Sequence, residues 1–162
     1  MSLYTAVHVV LSLVGIGSGL VVLYGLLAGR ELNRWTAVFL TTTALTSLTG
    51  FGFPFHELLP SQIVGALSLL VLAVAGYARY GRRLTGVWRR TYAAGAVVAL
   101  YFNVFVLVVQ MFMKVPALEA AAPTQSEPPF VATQLVVLVL FLVTGVLGVV
   151  SFGRRVHPGA NA

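Results

Sequence analysis

The 162-residue chain has no cysteine, and its only acidic residues are four glutamates, so aspartate is missing as well. Without thiols, disulfides, thiolate metal ligands, Cys nucleophiles and Cys-ligated iron–sulfur clusters are all excluded. Charge of either sign is scarce, at 9% of residues, where a soluble domain carries about a quarter. The abundant component is apolar: 59% of residues are hydrophobic and the mean hydropathy is +0.95. A soluble domain does not need that much apolar material to fill its core. The expectation is an all-α, polytopic membrane protein forming a single domain, with the lipid bilayer as its first partner.

A formal charge of +6 could suggest nucleic acid, but the basic residues fall in short clusters beside apolar runs, where membrane topology accounts for them. No nucleic acid is expected. Runs of about 20 apolar residues are the membrane-crossing unit. They predict a five-transmembrane-helix bundle with helices near 4–28, 35–53, 61–80, 91–113 and 131–152. The first run has no basic n-region and no A-x-A site after it, so it reads as a helix and not as a signal peptide.

Nine of the ten basic residues lie in the first connection (Arg30, Arg34), the third (Arg79, Arg82, Arg83, Arg89, Arg90) and the tail (Arg154, Arg155). Positive charge stays on the cytoplasmic side. This predicts an N-terminus outside and a C-terminus on the cytoplasmic side. The 54–60 connection and the 114–130 segment then face outward.

Positions three or four apart share a helical face. His8, Ser12, Gly15 and Gly19 align in the first helix, and Thr42, Thr46 and Thr49 in the second. The third gives Gln62, Ala66, Ala73 and Gly76; the fourth gives Ala96, Ala99, Asn103, Gln110 and Lys114; the fifth gives Gln134, Gly145 and Gly148. With the topology applied, small residues fall at mid-membrane or in the cytoplasmic half, whereas His8, Thr49, Gln62, Gln110, Lys114 and Gln134 lie in the outer half. Two readings follow. The polar residues either wall an outer-leaflet cavity or join helices to one another. On the first reading the ligand-binding set is His8, Ser12, Thr46, Thr49, Gln62, Asn103, Gln110, Lys114 and Gln134.

The 114–130 segment reads KVPALEAAAPTQSEPPF, with four prolines that stiffen it and oppose continuation as helix. At 17 residues it exceeds what joining two antiparallel helices requires. One expectation is a lid folded over the outer mouth, with Lys114, Glu119 and Glu127 at the rim and His56 and Glu57 nearby. The other is a solvated linker.

Chemistry is harder to place. No metal is assigned: His8, His56, Glu57 and Glu119 are dispersed, and Met111 and Met113 sit about 200° apart on a helix. Only one histidine, His8, is clearly inside a span, which does not suit bis-histidine haem. Ser12 lies one turn from His8, the spacing of a nucleophile and base, yet no carboxylate is near enough to orient the imidazole. Ionisable residues at mid-membrane, the mark of ion-driven transport, are missing.

The stretch Thr49 to Phe130, above all LYFNVFVLVVQMFMKVPAL and APTQSEPPF, resembles a group of small uncharacterised bacterial multi-pass inner-membrane proteins. The resemblance covers about half the chain. It implies that Asn103, Gln110, Lys114 and the Pro-rich segment are characteristic of the group, and that relatives carry His where this chain has Gln62. It implies no activity.

The leading functional expectation is binding of a small amphiphile, a lipid or quinone-like molecule, in the outer cavity beneath the lid. The alternative is a structural or accessory subunit of a homo-oligomer or larger membrane complex. A membrane enzyme using His8 and the rim charges is a third reading. No cofactor is assigned.

Overall fold

The computed structural model describes residues 2–53 and 60–154; His56, Glu57 and His157 lie outside them. Among the described residues the chain is helical throughout, with no strand. The helices are α1 (Leu3–Leu27), α2 (Asn33–Gly50), α3 (Pro60–Gly76), α4 (Val87–Lys114), α5 (Pro116–Ala121) and α6 (Pro128–Gly153), and a π-helical turn (Tyr77–Gly81) extends α3.

Local chemistry sets the boundaries. Ser2 caps α1 by accepting from the Thr5 N–H at 3.1 Å. At the other end Gly29, at φ +63°, lets the Arg30 N–H bond the Gly25 carbonyl and the Gly29 N–H bond that of Leu26, the Schellman termination. Helix α4 stops at the residue before a proline: Val115 is extended (φ −95°, ψ 114°), as the following Pro116 ring demands. The prolines break helices here and also start them. Pro116 opens α5, and Pro128 with Pro129 opens α6, at the first-turn positions where a missing N–H costs nothing. The expected irregular 114–130 segment is therefore corrected to the last residue of α4, a six-residue helix, a short turn and the first three residues of α6.

Helices α1, α2, α3, α4 and α6 form a closed ring in that order, and α4 also packs across the ring against α1. Four helices are long and apolar enough to cross a membrane: Leu3–Leu27, Gln62–Gly81, Val87–Lys114 and Pro128–Gly153. The fifth long helix, α2, is not among them. Its 18 residues include six threonines and a serine, which dilute the apolar run. Two of these hydroxyls bond their own backbone one turn back, Thr42 to the Val38 carbonyl at 2.7 Å and Thr49 to that of Leu45 at 2.7 Å, so the polarity of those two is satisfied within the helix.

The bundle's perimeter is apolar. On α6 alone Leu135, Val136, Val139, Leu140, Leu142, Val143, Val146 and Leu147 are each more than half exposed. Water would oppose such a surface at about 25 cal/mol per Å², and a contiguous patch of this kind marks a membrane or protein contact.

The core lies toward the basic end, where Val22, Leu26, Phe39, Leu72, Ala75, Ala78, Tyr92, Ala96, Leu100 and Phe152 form one buried cluster. Glycines bring the helices together there. A Cβ on Gly19 would lie 2.5 Å from Leu100 Cδ1 and 2.9 Å from the Phe39 ring, and one on Gly145 would lie 3.0 Å from Val97 Cγ1. The opposite end has a smaller cluster of Val108, Phe112 and Ala122, flanked by Leu118, Phe130 and Val137. It seats the 114–130 segment on the α4–α6 corner, with the Phe112 and Phe130 rings edge to face at 5.3 Å.

Candidate functional site

At the end away from the arginines, the expected polar residues meet in pairs. His8 Nδ1 lies 2.8 Å from Thr49 Oγ1, joining α1 to α2. The Thr49 Oγ1 also lies 2.7 Å from the Leu45 carbonyl, one turn back in α2. Phe53 stacks edge-on against the imidazole at 5.1 Å, and the Tyr4 hydroxyl donates to the Thr49 carbonyl. Asn103 Nδ2 donates to Thr43 Oγ1 at 3.0 Å, joining α4 to α2, and Gln134 Nε2 donates to the Phe105 carbonyl at 3.2 Å, joining α6 to α4. Gln62 is buried in α3.

Other members of the set lie apart from these. The Ser12 hydroxyl donates to the His8 carbonyl at 2.9 Å, so its proton goes to backbone and not to the imidazole. Gln110 and Lys114 are exposed, because the last turns of α4 roll to bury Val108 and Phe112 beneath α5. Ala66 and Ala73, which share the Gln62 stripe in the sequence, face outward; the buried face of α3 runs through Ser68, Leu72, Ala75 and Arg79. Among the described residues no group of three His, Asp or Glu side chains is placed to hold a metal ion.

Rim residue Glu127 organises the turn before α6. Its Oε1 accepts from Thr124 Oγ1 at 2.8 Å and from the Thr124 N–H at 3.2 Å, and its Oε2 accepts from the Ser126 N–H at 3.1 Å. Desolvation pushes the carboxyl up, but these bonds to the charged form outweigh it and hold the group below the ordinary carboxylate range. Glu119 and Lys114 are exposed, and the ion pair found among the described residues involves neither of them.

That pair is at the other end, where Arg89 Nη1 lies 2.7 Å from Glu31 Oε1. Arg89 also donates from Nε to the Phe152 carbonyl at 2.6 Å, with its guanidinium 4.0 Å from the Phe152 ring centroid. Beside it Arg79, on the π-helical turn, is only 9% exposed. Its guanidinium carbon sits 5.3 Å from the Tyr92 ring centroid and 5.7 Å from that of Tyr80. Nη2 donates to Asn33 Oδ1 at 2.5 Å, while Nε and Nη1 are buried without a hydrogen-bond partner. Tyr92, packed beneath, shares a 2.9 Å hydrogen bond with Thr36 Oγ1. Glu31, Asn33, Arg79, Tyr80, Arg83 and Leu84 line a pocket of about 300 Å³. A second, apolar depression of about 360 Å³ lies on α6 between Leu142, Val143, Val146 and Leu147. Neither is walled by the polar set of the opposite end.

Sequence reasoning counted Arg79 among the topology-setting arginines and missed this cluster. The signal was present: Ser68, Leu72, Ala75 and Arg79 follow one another at steps of four, three and four, which places the arginine on the core face of its helix.

Fold and site together define a helical bundle with an apolar perimeter, polar links at one end and a partly satisfied buried arginine at the other. Comparison with protein-family models, curated proteins and solved structures found no match.

Proposed function

We propose that this chain is a multi-pass protein of the bacterial inner membrane, crossing it five times with the N-terminus outside and the C-terminus cytoplasmic, and that it serves as a structural or accessory subunit of a homo-oligomer or larger membrane complex. The four long apolar helices and the exposed belt on α6 support membrane insertion. Counting α2 as the fifth span rests on its place between α1 and α3 and on hydroxyls that bond their own backbone. The orientation rests on the one-sided arginines. Membership in the small inner-membrane group named above is part of the same proposal, carried by the KVPAL and APTQSEPPF segments.

The observation that carries the accessory reading is the use made of the polar side chains. His8, Asn103 and Gln134 each bond a neighbouring helix, the job of polar residues that join helices in lipid. On α3, Ala66 and Ala73 face outward, and Gly76 has open space over its missing Cβ. Small residues repeated along a lipid-facing stripe let another helix come close. Blue-native electrophoresis and native mass spectrometry of gently extracted protein are expected to report assemblies larger than one chain, and Ala73→Leu is expected to release folded single chains. A wild-type protein that is a single chain throughout would refute this role.

A second reading, a small amphiphile held at the end away from the arginines, is favoured by one observation. Thr46 Oγ1 and Gln134 Oε1 are buried without a hydrogen-bond partner, and a ligand hydroxyl or amide could supply one. A co-purifying quinone or neutral lipid that is lost on Gln134→Leu but kept in Arg79→Gln would favour that reading over the accessory role.

A further inference from the structure

A guanidinium removed from water costs several kcal/mol unless anions or acceptors surround it, and Arg79 has only the neutral Asn33 amide as a hydrogen-bond acceptor. The tyrosine rings of Tyr80 and Tyr92 hold it in place but accept nothing from Nε or Nη1. Glu31 also lines the pocket, yet its Oε1 is engaged by Arg89 at 2.7 Å. The pocket wall thus carries two arginines, Arg79 and Arg83, against one carboxylate that is already shared with Arg89. The backbone is shaped to deliver Arg79. The π-helical turn, closed by the Arg82 N–H on the Tyr77 carbonyl at 2.9 Å, buries Ala78 and Arg79 in succession. Arg83 and Leu84 then follow at φ +50° and +55°, a left-handed conformation that non-glycine residues rarely adopt.

From these features we propose that the basic-end pocket binds a phosphate group, with Arg79 as its buried anchor and Arg83 as its outer contact. Arginine suits phosphate because its planar donors match the phosphoryl oxygens. About 300 Å³ admits a phosphate with a small substituent. On the membrane reading above, the pocket opens where the apolar helices end, at the depth of lipid headgroups. The phosphate comes either from an anionic phospholipid or from a small soluble phosphate.

The test uses the full chain in neutral detergent, titrated in parallel with phosphatidylglycerol, with diacylglycerol as its phosphate-free counterpart, and with inorganic phosphate. Retained lipid is read by native mass spectrometry, and the thermal unfolding midpoint is read for all three. Wild-type protein is expected to retain phosphatidylglycerol and not diacylglycerol, with at least about tenfold weaker binding in Arg79→Gln and about threefold weaker in Arg83→Gln. A midpoint raised by phosphatidylglycerol alone assigns the lipid headgroup, and one raised by inorganic phosphate assigns a soluble phosphate. Equal response to diacylglycerol, no response to either phosphate source, or unchanged binding in the folded arginine variants overturns the site. Should Arg79→Gln fail to fold, Arg83→Gln decides, with unchanged affinity counting against the site. The accessory role fails on a different readout, subunit number, so the two proposals fall separately.

Discussion

The two ends of this bundle solve the burial of polarity in different ways. Away from the arginines, neutral side chains are shared out between helices, His8 to Thr49, Asn103 to Thr43 and Gln134 to the Phe105 carbonyl, and the local apolar cluster is small. At the basic end the helices close over a large core, and charged groups join the neutral Thr36–Tyr92 link: Arg79 buried near tyrosines, and half-buried Arg89 over Phe152 and beside Glu31. Neutral pairs in lipid are individually weak, about 0.6 kcal/mol, so one end is held by several small terms. The other depends on close packing and on a few charges whose loss would be felt.

The largest test of that contrast is Gly19→Leu. Even a Cβ would come within 2.5 Å of Leu100, so the longer side chain is expected to destabilise by about 3 kcal/mol or more, read as loss of folded protein in a detergent melting curve. Next comes Arg89→Leu, which removes the Glu31 pair, the bond to the Phe152 carbonyl and the contact with its ring. About 1–3 kcal/mol is expected; a change under about 0.5 kcal/mol would mean that the basic end is held by apolar packing alone. Asn103→Leu at the other end deletes one bond and is expected to cost only about 0.6 kcal/mol, with about 1.7 kcal/mol as the ceiling. If it matched Gly19→Leu, the contrast would collapse.

The smallest effect concerns pH. Glu127's carboxyl titrates below its ordinary value when folded, so at intermediate pH the unfolded state binds the extra proton and stability rises with pH. The contribution is whole above the unfolded carboxylate pKa and disappears as pH falls through the lower folded value. The protection factors of the Thr124 and Ser126 amides, with the intrinsic pH dependence of exchange divided out, should therefore fall on acidification in the native chain. In Glu127→Gln they should already be low at neutral pH and respond less to acid.

Much of this was legible from the chain. The long helices begin and end within a few residues of the expected runs, but among the described residues four of them are apolar enough to cross a membrane, and the run of α2 is diluted by threonine. The crowding of small residues toward the basic end was legible too, and Gly19 and Gly145 pack there as their spacing suggests. Less readable were the faces at helix ends. Gln110 and Lys114 share an ideal face with Asn103, but Val108 and Phe112 find apolar partners in Leu118 and Phe130, and that contact turns the helix end. A stripe of Gln62, Ala66 and Ala73 competes on α3 with one of Ser68, Leu72, Ala75 and Arg79, and in a span surrounded by lipid, hydropathy alone cannot rank them. The second stripe won by bringing Leu72 and Ala75 into the main core. Arg79 went unnoticed because arginine near a helix end ordinarily reports topology.

Helix α4 runs 28 residues, about 42 Å at helical rise, against a hydrocarbon layer of about 30 Å. The surplus of about 12 Å must be taken up by tilt or by emergence into the headgroups. Because α5 and Phe130 are anchored on the final turns of this rod, any change in bilayer thickness that tips α4 would carry them with it. A thin membrane and a thick one should thus present two different faces of the same short helix to the aqueous phase.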